Sequence, residues 1–308
     1  MSFGAVMGLL VWAAACGSSP DRAGGSVTVG KDLEVEPRGA GDAAVDSDGG
    51  GPAPVVFFSA HPDDEVIGMA GAIRQARSEG RPVFIELMTH GEASAVLPIL
   101  RDAHSDPWHP GKHLYPMSVQ DFGDARVREF LDAMSRLDVT GVHVSSFPNM
   151  KLTPSEVSAR IAYWLSLDIP GLALRGTAGA QDPGYPNGRP HPDHAAVWEA
   201  LVASGYGDVL GYCIYQGISG KCRYDEAVDV QRWCEDKRDA LAAYETWDPP
   251  VGRYAIAFHS THALLQNVGN ACVEYVVRPP RGAAGTLDVA SAPARLDGID
   301  ADGDDPER

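Results

Sequence analysis

The sequence predicts an α/β fold whose mostly parallel sheet is flanked by helices, and three observations carry that prediction. Val55-Val56-Phe57-Phe58 is an unbroken apolar run of the kind that forms a strand buried on both faces. A helical pattern from Glu65 to Ser78, stopped by Gly80, follows it, and Val83 to Met88 reads as a second buried strand. Strand, helix and strand in that order imply a right-handed crossover between parallel neighbours. The chain has 308 residues, 44% of them apolar, which suits one sizeable core domain with tails.

The remaining elements follow in order. Thr89 to Gln120 is a long segment interrupted by Pro98, Pro107, Pro110 and Pro116, with a short helix expected over Ala95 to Ala103. Long irregular insertions of this sort often shape a site. A helix is expected from about Phe122 to Leu137 and a strand around Val142 to Ser145. Thr153-Pro154-Ser155-Glu156 is a helix start: Thr caps, Pro fits the first turn and Glu takes the capping-box position. That helix runs to about Leu167, and a strand near Leu172 to Leu174 comes next. A loop rich in Gly and Pro, residues 176–192, then delivers the chain to a helix from His194 to Ala203. A strand over Val209 to Tyr215, a long helix from about Val228 to Tyr244 and a late strand over Cys272 to Val277 complete the body, which spans residues 54–281.

The flanks differ in composition. Residues 17–53 are rich in Gly, Ser, Asp and Pro and read as a flexible tether, because so few large apolar side chains do not offset chain entropy. Residues 282–308 read as an acidic disordered tail. Its Asp300-Ala301-Asp302-Gly303-Asp304 cluster has some calcium-loop character but lacks the closing bidentate glutamate. The tether holds seven acids and three bases and the tail seven acids and two bases, so the flanks supply −9 of the formal −17. A body that is still acidic repels phosphate backbones, which excludes nucleic acid as an expected partner.

Val6 to Ala15 is too short to span a bilayer but suits the apolar part of a secretory signal, so residues 1–16 are read as a signal segment and the protein as exported. Ala13-Ala14-Ala15 before Cys16 resembles a bacterial lipoprotein cleavage site, which would make Cys16 a lipid anchor to the membrane; ordinary cleavage after Ala15 is the alternative. Four further cysteines are an even number, as an oxidising compartment favours. Of their three pairings, short loop closure favours Cys213 with Cys222 and Cys234 with Cys272; four buried thiols are the alternative. None has the paired spacing of a structural zinc site.

Two motifs carry chemistry. His61-Pro62-Asp63-Asp64-Glu65 lies where the first strand ends and its helix begins, at the edge of an open α/β sheet where ligands bind. His61 and Asp64, three apart in an emerging turn, present one nitrogen and one oxygen to a divalent cation. Asp63 points elsewhere and is placed to take a proton from water. Glu65 suits the helix start. His191-Pro192-Asp193-His194 enters a second helix and adds His194 as third ligand, completing the two histidines and one carboxylate that suit a catalytic zinc. His191 is then a donor to the developing oxyanion, with Asp193 orienting its ring or holding its charge.

These motifs, in this order and at these positions, resemble the PIG-L/LmbE-like family of zinc-dependent N-acetylglucosaminyl deacetylases over about Pro54 to Pro250. The resemblance implies a Rossmann-like fold, a Zn2+ cofactor on His61, Asp64 and His194, Asp63 as general base, His191 at the oxyanion, and removal of acetyl groups from N-acetylated sugars or glycans. Arg126 and Glu129, and Lys237 with Leu241, resemble family helices. Asn149, in Ser146-Phe147-Pro148-Asn149, stands where many relatives have an aspartate that touches sugar hydroxyls. Either Asp63 or His191 returns the proton to the leaving amine. The rival readings are an exported metal-containing glycan-binding protein without turnover and a family amidase acting on another amide. His259 and His262 are read as polar or core residues rather than a second ion site. His109, His113, Trp108 and Tyr185 are weaker candidates to face a substrate.

Overall fold

The computed structural model describes residues 33–35, 51–105, 111–184 and 188–280. Along the chain run β1 (Leu33–Val35), β2 (Val55–Ser59), α1 (Asp64–Ser78), β3 (Val83–Leu87), α2 (Val96–Arg101), α3 (Val119–Arg136), β4 (Gly141–Val144), α4 (Pro154–Ser166) and β5 (Ala173–Thr177). Then follow α5 (Pro192–Ala203), β6 (Val209–Tyr212), α6 (Gln216–Ser219), β7 (Glu226–Asp229), α7 (Cys234–Tyr244), β8 (Trp247–Asp248), β9 (Arg253–Tyr254), α8 (Ile256–Ala271) and β10 (Val273–Val277).

The main sheet has the order β1-β4-β3-β2-β5-β6-β10-β7. Its five central strands are parallel, and β1, β10 and β7 add antiparallel edges. This is the Rossmann-like α/β architecture expected. The continuous apolar run of β2 is explained by helices on both faces. Val55 and Phe57 meet α1, α3, α7 and α8, whereas Val56 and Phe58 meet α4 and α5. Strand order reverses direction between β2 and β5, and the carboxyl ends of strands at such a switch point are where α/β sheets bind ligands.

The structure departs from the sequence reading at four places. Leu33–Val35, inside the segment read as a tether, pairs antiparallel with Val142–Val144 of β4. The expected helix from Val228 begins instead at Cys234, because Glu226–Asp229 pairs with β10 as a strand. The sixteen-residue α8 was not expected; its first turn is fixed when Glu129 accepts the Ile256 N–H at 3.0 Å. Finally, α3 starts three residues early on a Ser118/Asp121 capping box. The signal segment with Cys16, the rest of the tether and the acidic tail with its Asp300–Asp304 cluster lie outside the described residues.

Buried polar links hold the scaffold. Lys237 donates to the Ile67 carbonyl at 2.9 Å and to Glu274 at 3.3 Å, and Glu274 accepts the Gly71 and Ala72 N–H groups of α1. An ion pair thus stands in for a turn of the α1 ladder. Two disulfides, Cys213–Cys222 and Cys234–Cys272, take the pairing that short loop closure favours. The first closes the loop after β6, and the second ties α7 to the start of β10.

Candidate metal centre and active site

Three donor atoms converge at the carboxyl edge of the sheet. Asp64 Oδ2 lies 3.1 Å from His61 Nδ1 and 3.0 Å from His194 Nε2, and the two nitrogens are 3.2 Å apart. His61 comes from the turn after β2, Asp64 opens α1, and His194 sits in the first turn of α5 beyond β5, so the two strands at the switch point supply all three. The side chains are buried. His61, His191 and His194 also form a group whose donors lie within 4.8 Å of one another. Asp64 Oδ2 lies within 3.1 Å of both His61 Nδ1 and His194 Nε2, whereas His191 Nδ1 accepts the Asp193 N–H at 3.2 Å as the cap of α5. A divalent cation can be held by these groups.

The electrostatics favour positive charge at this point. Burial works against a charged His61 ring, but hydrogen bonds to the Asp193 and Asp64 carboxylates outweigh it and raise its pKa to about 9. Burial likewise opposes ionisation of Asp64, yet the His194 and His61 rings hold its carboxyl well below the usual range. His191 is driven the other way, its pKa lowered by burial and by the neighbouring His194 and His61. It is therefore neutral, and with Nδ1 accepting from the backbone its proton sits on Nε2.

Asp193 meets His191 through its backbone N–H, while its side chain turns to His61. Its fully buried carboxylate accepts from His61 Nε2 at 3.0 Å, from the Met150 N–H at 2.7 Å and from the Leu152 N–H at 3.1 Å. The α5 helix turns the Asp193 side chain away from its own cap and toward the β2 turn. A carboxylate on the far nitrogen of a ligand histidine fixes that ring's tautomer and raises its basicity, leaving Nδ1 free for a cation.

Asp63 adopts φ 113°, ψ −31°, a conformation that costs a non-glycine residue about 1–3 kcal/mol. Its surroundings hold it there. The Asp63 N–H donates to Glu65 Oε2 at 3.2 Å, and Arg126 Nη2 donates to the Pro62 carbonyl at 2.6 Å and to Asp63 Oδ2 at 3.0 Å. Glu65 is in turn bonded by Ser59 and by the Tyr244 hydroxyl. Arg126 also donates to the Gly91 carbonyl at 2.8 Å; a Cβ at Gly91 would run into that guanidinium, and its φ of +67° strains any side chain there. Burial raises the Asp63 pKa, Arg126 lowers it, and it settles at about 6.

These groups open onto a cavity of about 310 Å³ lined by His61, Asp63, Asp64, Arg126, Asn149 and His191, with Ile67, Ile214, Tyr215, Thr261 and Leu264 on its apolar side. Both motifs and Asn149 therefore meet in one place. Asn149 is buried, its N–H donates to Glu92 at 2.9 Å, and its Oδ1 has no hydrogen-bond partner. Several contributors escaped the sequence reading. Glu92 positions the Asn149 loop. Asp182 accepts the Ile214 and Tyr215 N–H groups at 2.6 and 2.8 Å, and the Tyr215 ring stacks on His194 at 5.4 Å. Only the Gly91-Glu92 pair directly beyond β3 offered a local signal. His259 Nδ1 donates to the Ala255 carbonyl at 2.7 Å, and its ring packs against His113. His262 packs against Phe258. Trp108, His109 and Tyr185 lie outside the described residues.

A parallel-sheet α/β domain with buried His and Asp donors at its switch point is the class that fold and site define. Residues 56–204, which contain both motifs, match the PIG-L family, described as GlcNAc-PI de-N-acetylase. A curated relative, the 1D-myo-inositol 2-acetamido-2-deoxy-alpha-D-glucopyranoside deacetylase of Kineococcus radiotolerans, is 28% identical over 210 residues, 60% of this chain. The match spans 56% of that relative's length. Among solved structures, the N,N'-diacetylchitobiose deacetylase of Pyrococcus horikoshii is 18% identical with a TM-score of 0.47, covering 72% of this chain and 82% of that one. The 4-carboxy-2-hydroxymuconate hydratase GalB of Pseudomonas putida KT2440 is also 18% identical, with a TM-score of 0.49, covering 74% of this chain and 97% of that one.

Proposed function

We propose that the protein is a zinc-dependent hydrolase that removes N-acetyl groups from amino sugars or N-acetylated glycans. The observation that carries this reading is the triangle of His61 Nδ1, Asp64 Oδ2 and His194 Nε2, with edges of 3.0–3.2 Å, beside an acid poised to act as a base. Bonds of about 2.0–2.2 Å to nitrogen and oxygen in a tetrahedron place donors roughly 3.3–3.5 Å apart, so the set fits zinc after a shift of a few tenths of an ångström. Two histidines and one carboxylate are also a common catalytic zinc set. When bound, the ion supplies Lewis acidity toward water and the acetyl carbonyl.

The chain's own residues supply the rest. Asp63, aimed by Arg126, accepts a proton from the attacking water as its oxygen bonds to the amide carbon. The neutral His191 donates its Nε2–H to the oxyanion that develops at the carbonyl oxygen. The carbon–nitrogen bond then breaks, with Asp63 returning to the amine the proton it took from water, and acetate and a free amino sugar leave. Asn149, buried in the cavity lining, is our candidate for a sugar contact. Replacing Asp63 with Asn tests the base. Metal content is expected to stay at one ion per chain while acetate release falls by about 10²–10⁴-fold; retention of full activity with metal bound would refute the role.

For location we propose export, with Cys16 as a lipid anchor. The two disulfides support an oxidising compartment, since such bonds persist outside the reducing cytosol. Detergent-phase partition of wild type and Cys16→Ser tests the anchor, and equal partition excludes it.

A further inference from the structure

An aromatic group built around Trp247 lies outside the lining of the catalytic cavity. Trp247 of β8 is 40% exposed, although large apolar side chains are normally covered. Rings surround it. His113 lies at 4.6 Å between centroids, His259 at 5.5 Å, and Tyr115 and Tyr254 meet it edge-on at 5.6 and 6.1 Å. The group draws on the segment between α2 and α3, the β8–β9 hairpin and the first turn of α8, so the indole is braced from three stretches of chain.

The aromatic group adjoins the cavity wall along α8. His259, which packs on Trp247, directly precedes Ser260 and Thr261, which line the cavity wall. The α8 helix leaves helical geometry at Thr261 (φ −134°, ψ 30°), where the wall passes into the aromatic group. At about 310 Å³ the cavity is at the small end of ligand pockets, so the further rings of a longer glycan lie outside it. Trp247 combines an apolar ring with imidazole and phenol groups at its margin, and a pyranose combines a C–H face with a hydroxyl rim in the same way. An anionic membrane fits less well, given a formal charge of −17.

We propose that Trp247, with His113 beside it, is a distal sugar subsite that stacks a pyranose ring of an N-acetylated oligosaccharide whose reacting residue occupies the cavity. The proposal rests on the reading of the chain as an amino-sugar deacetylase. Its test compares the zinc-loaded wild type with Trp247→Ala and His113→Ala on the dimer and the hexamer of N-acetylglucosamine, following acetate release and, separately, calorimetric binding to the metal-stripped protein. The expected result for Trp247→Ala is a KM for the hexamer raised about tenfold, with kcat and the dimer's KM unchanged. Equal losses on dimer and hexamer, or no loss on either, would overturn the subsite. So would binding to phosphatidylcholine/phosphatidylglycerol vesicles that depends on Trp247 while hexamer binding does not. If the wild type releases acetate from neither sugar, the deacetylase reading fails, and the binding arm still decides the subsite: tenfold weaker hexamer binding by Trp247→Ala upholds it, unchanged binding removes it.

Discussion

Replacing Asp193 with Asn separates the orienting carboxylate from the donors themselves. Three hydrogen donors converge on Asp193: His61 Nε2 and the Met150 N–H on Oδ2, and the Leu152 N–H on Oδ1. An asparagine offers one oxygen. If that oxygen faces His61 and Met150, its amide nitrogen opposes the Leu152 N–H; if it faces Leu152, the nitrogen opposes two donors. Either way at least one buried N–H loses its acceptor, which costs about 1–3 kcal/mol, and the negative charge behind His61 is gone. Loss of such an outer partner lowers metal affinity by about 10–100-fold. The expected outcome is a melting temperature lowered in the metal-free protein and a zinc dissociation constant raised by about that factor, read by competition with a chelating dye. Unchanged zinc affinity in a folded Asp193→Asn protein would refute the assignment of Asp193 to His61.

Two further outcomes follow from the same contacts. A base must be ionised to accept a proton, and the Asp63 pKa is raised to about 6, so kcat/KM is expected to hold above that pH and to fall on the acid side with a midpoint at about 6 or below, since a bound cation lowers it further. An acid limb centred above pH 7, or one that persists in the residual activity of Asp63→Asn, contradicts the assignment. Removing Cys234–Cys272, whose partners are 38 residues apart, releases about 4 kcal/mol of loop-closure entropy to the unfolded chain. Urea unfolding of the Cys234→Ser/Cys272→Ser protein measures this, and a loss below about 1 kcal/mol would show that the bond adds little.

The parts of the site readable from sequence are those whose geometry is local. His61 and Asp64 are three residues apart at a strand end, and His194 follows a proline-led helix start, so spacing alone places their side chains. The side-chain partner of Asp193 was not readable, because His61 is 132 positions away whereas His191 is two. Glu92 with Asn149 and Asp182 with Ile214 are likewise contacts made only by folding. Secondary structure failed for the same reason. Glu226–Asp229 becomes a strand because β10 pairs with it, and α8 is set by Glu129, more than a hundred residues earlier. The strands β2 and β3 were readable because burial on both faces leaves an unbroken apolar run.

The central claim is that one cation on His61, Asp64 and His194 makes this domain an amide hydrolase for N-acetylated sugars. The most direct measurement strips the protein with a chelator, adds zinc in known equivalents and follows acetate release from the N-acetylglucosamine dimer. Release is expected to be absent without metal, to rise to a plateau at one equivalent, and to be lost in His194→Ala. Release that is indifferent to zinc, or absent at every loading, would contradict the account.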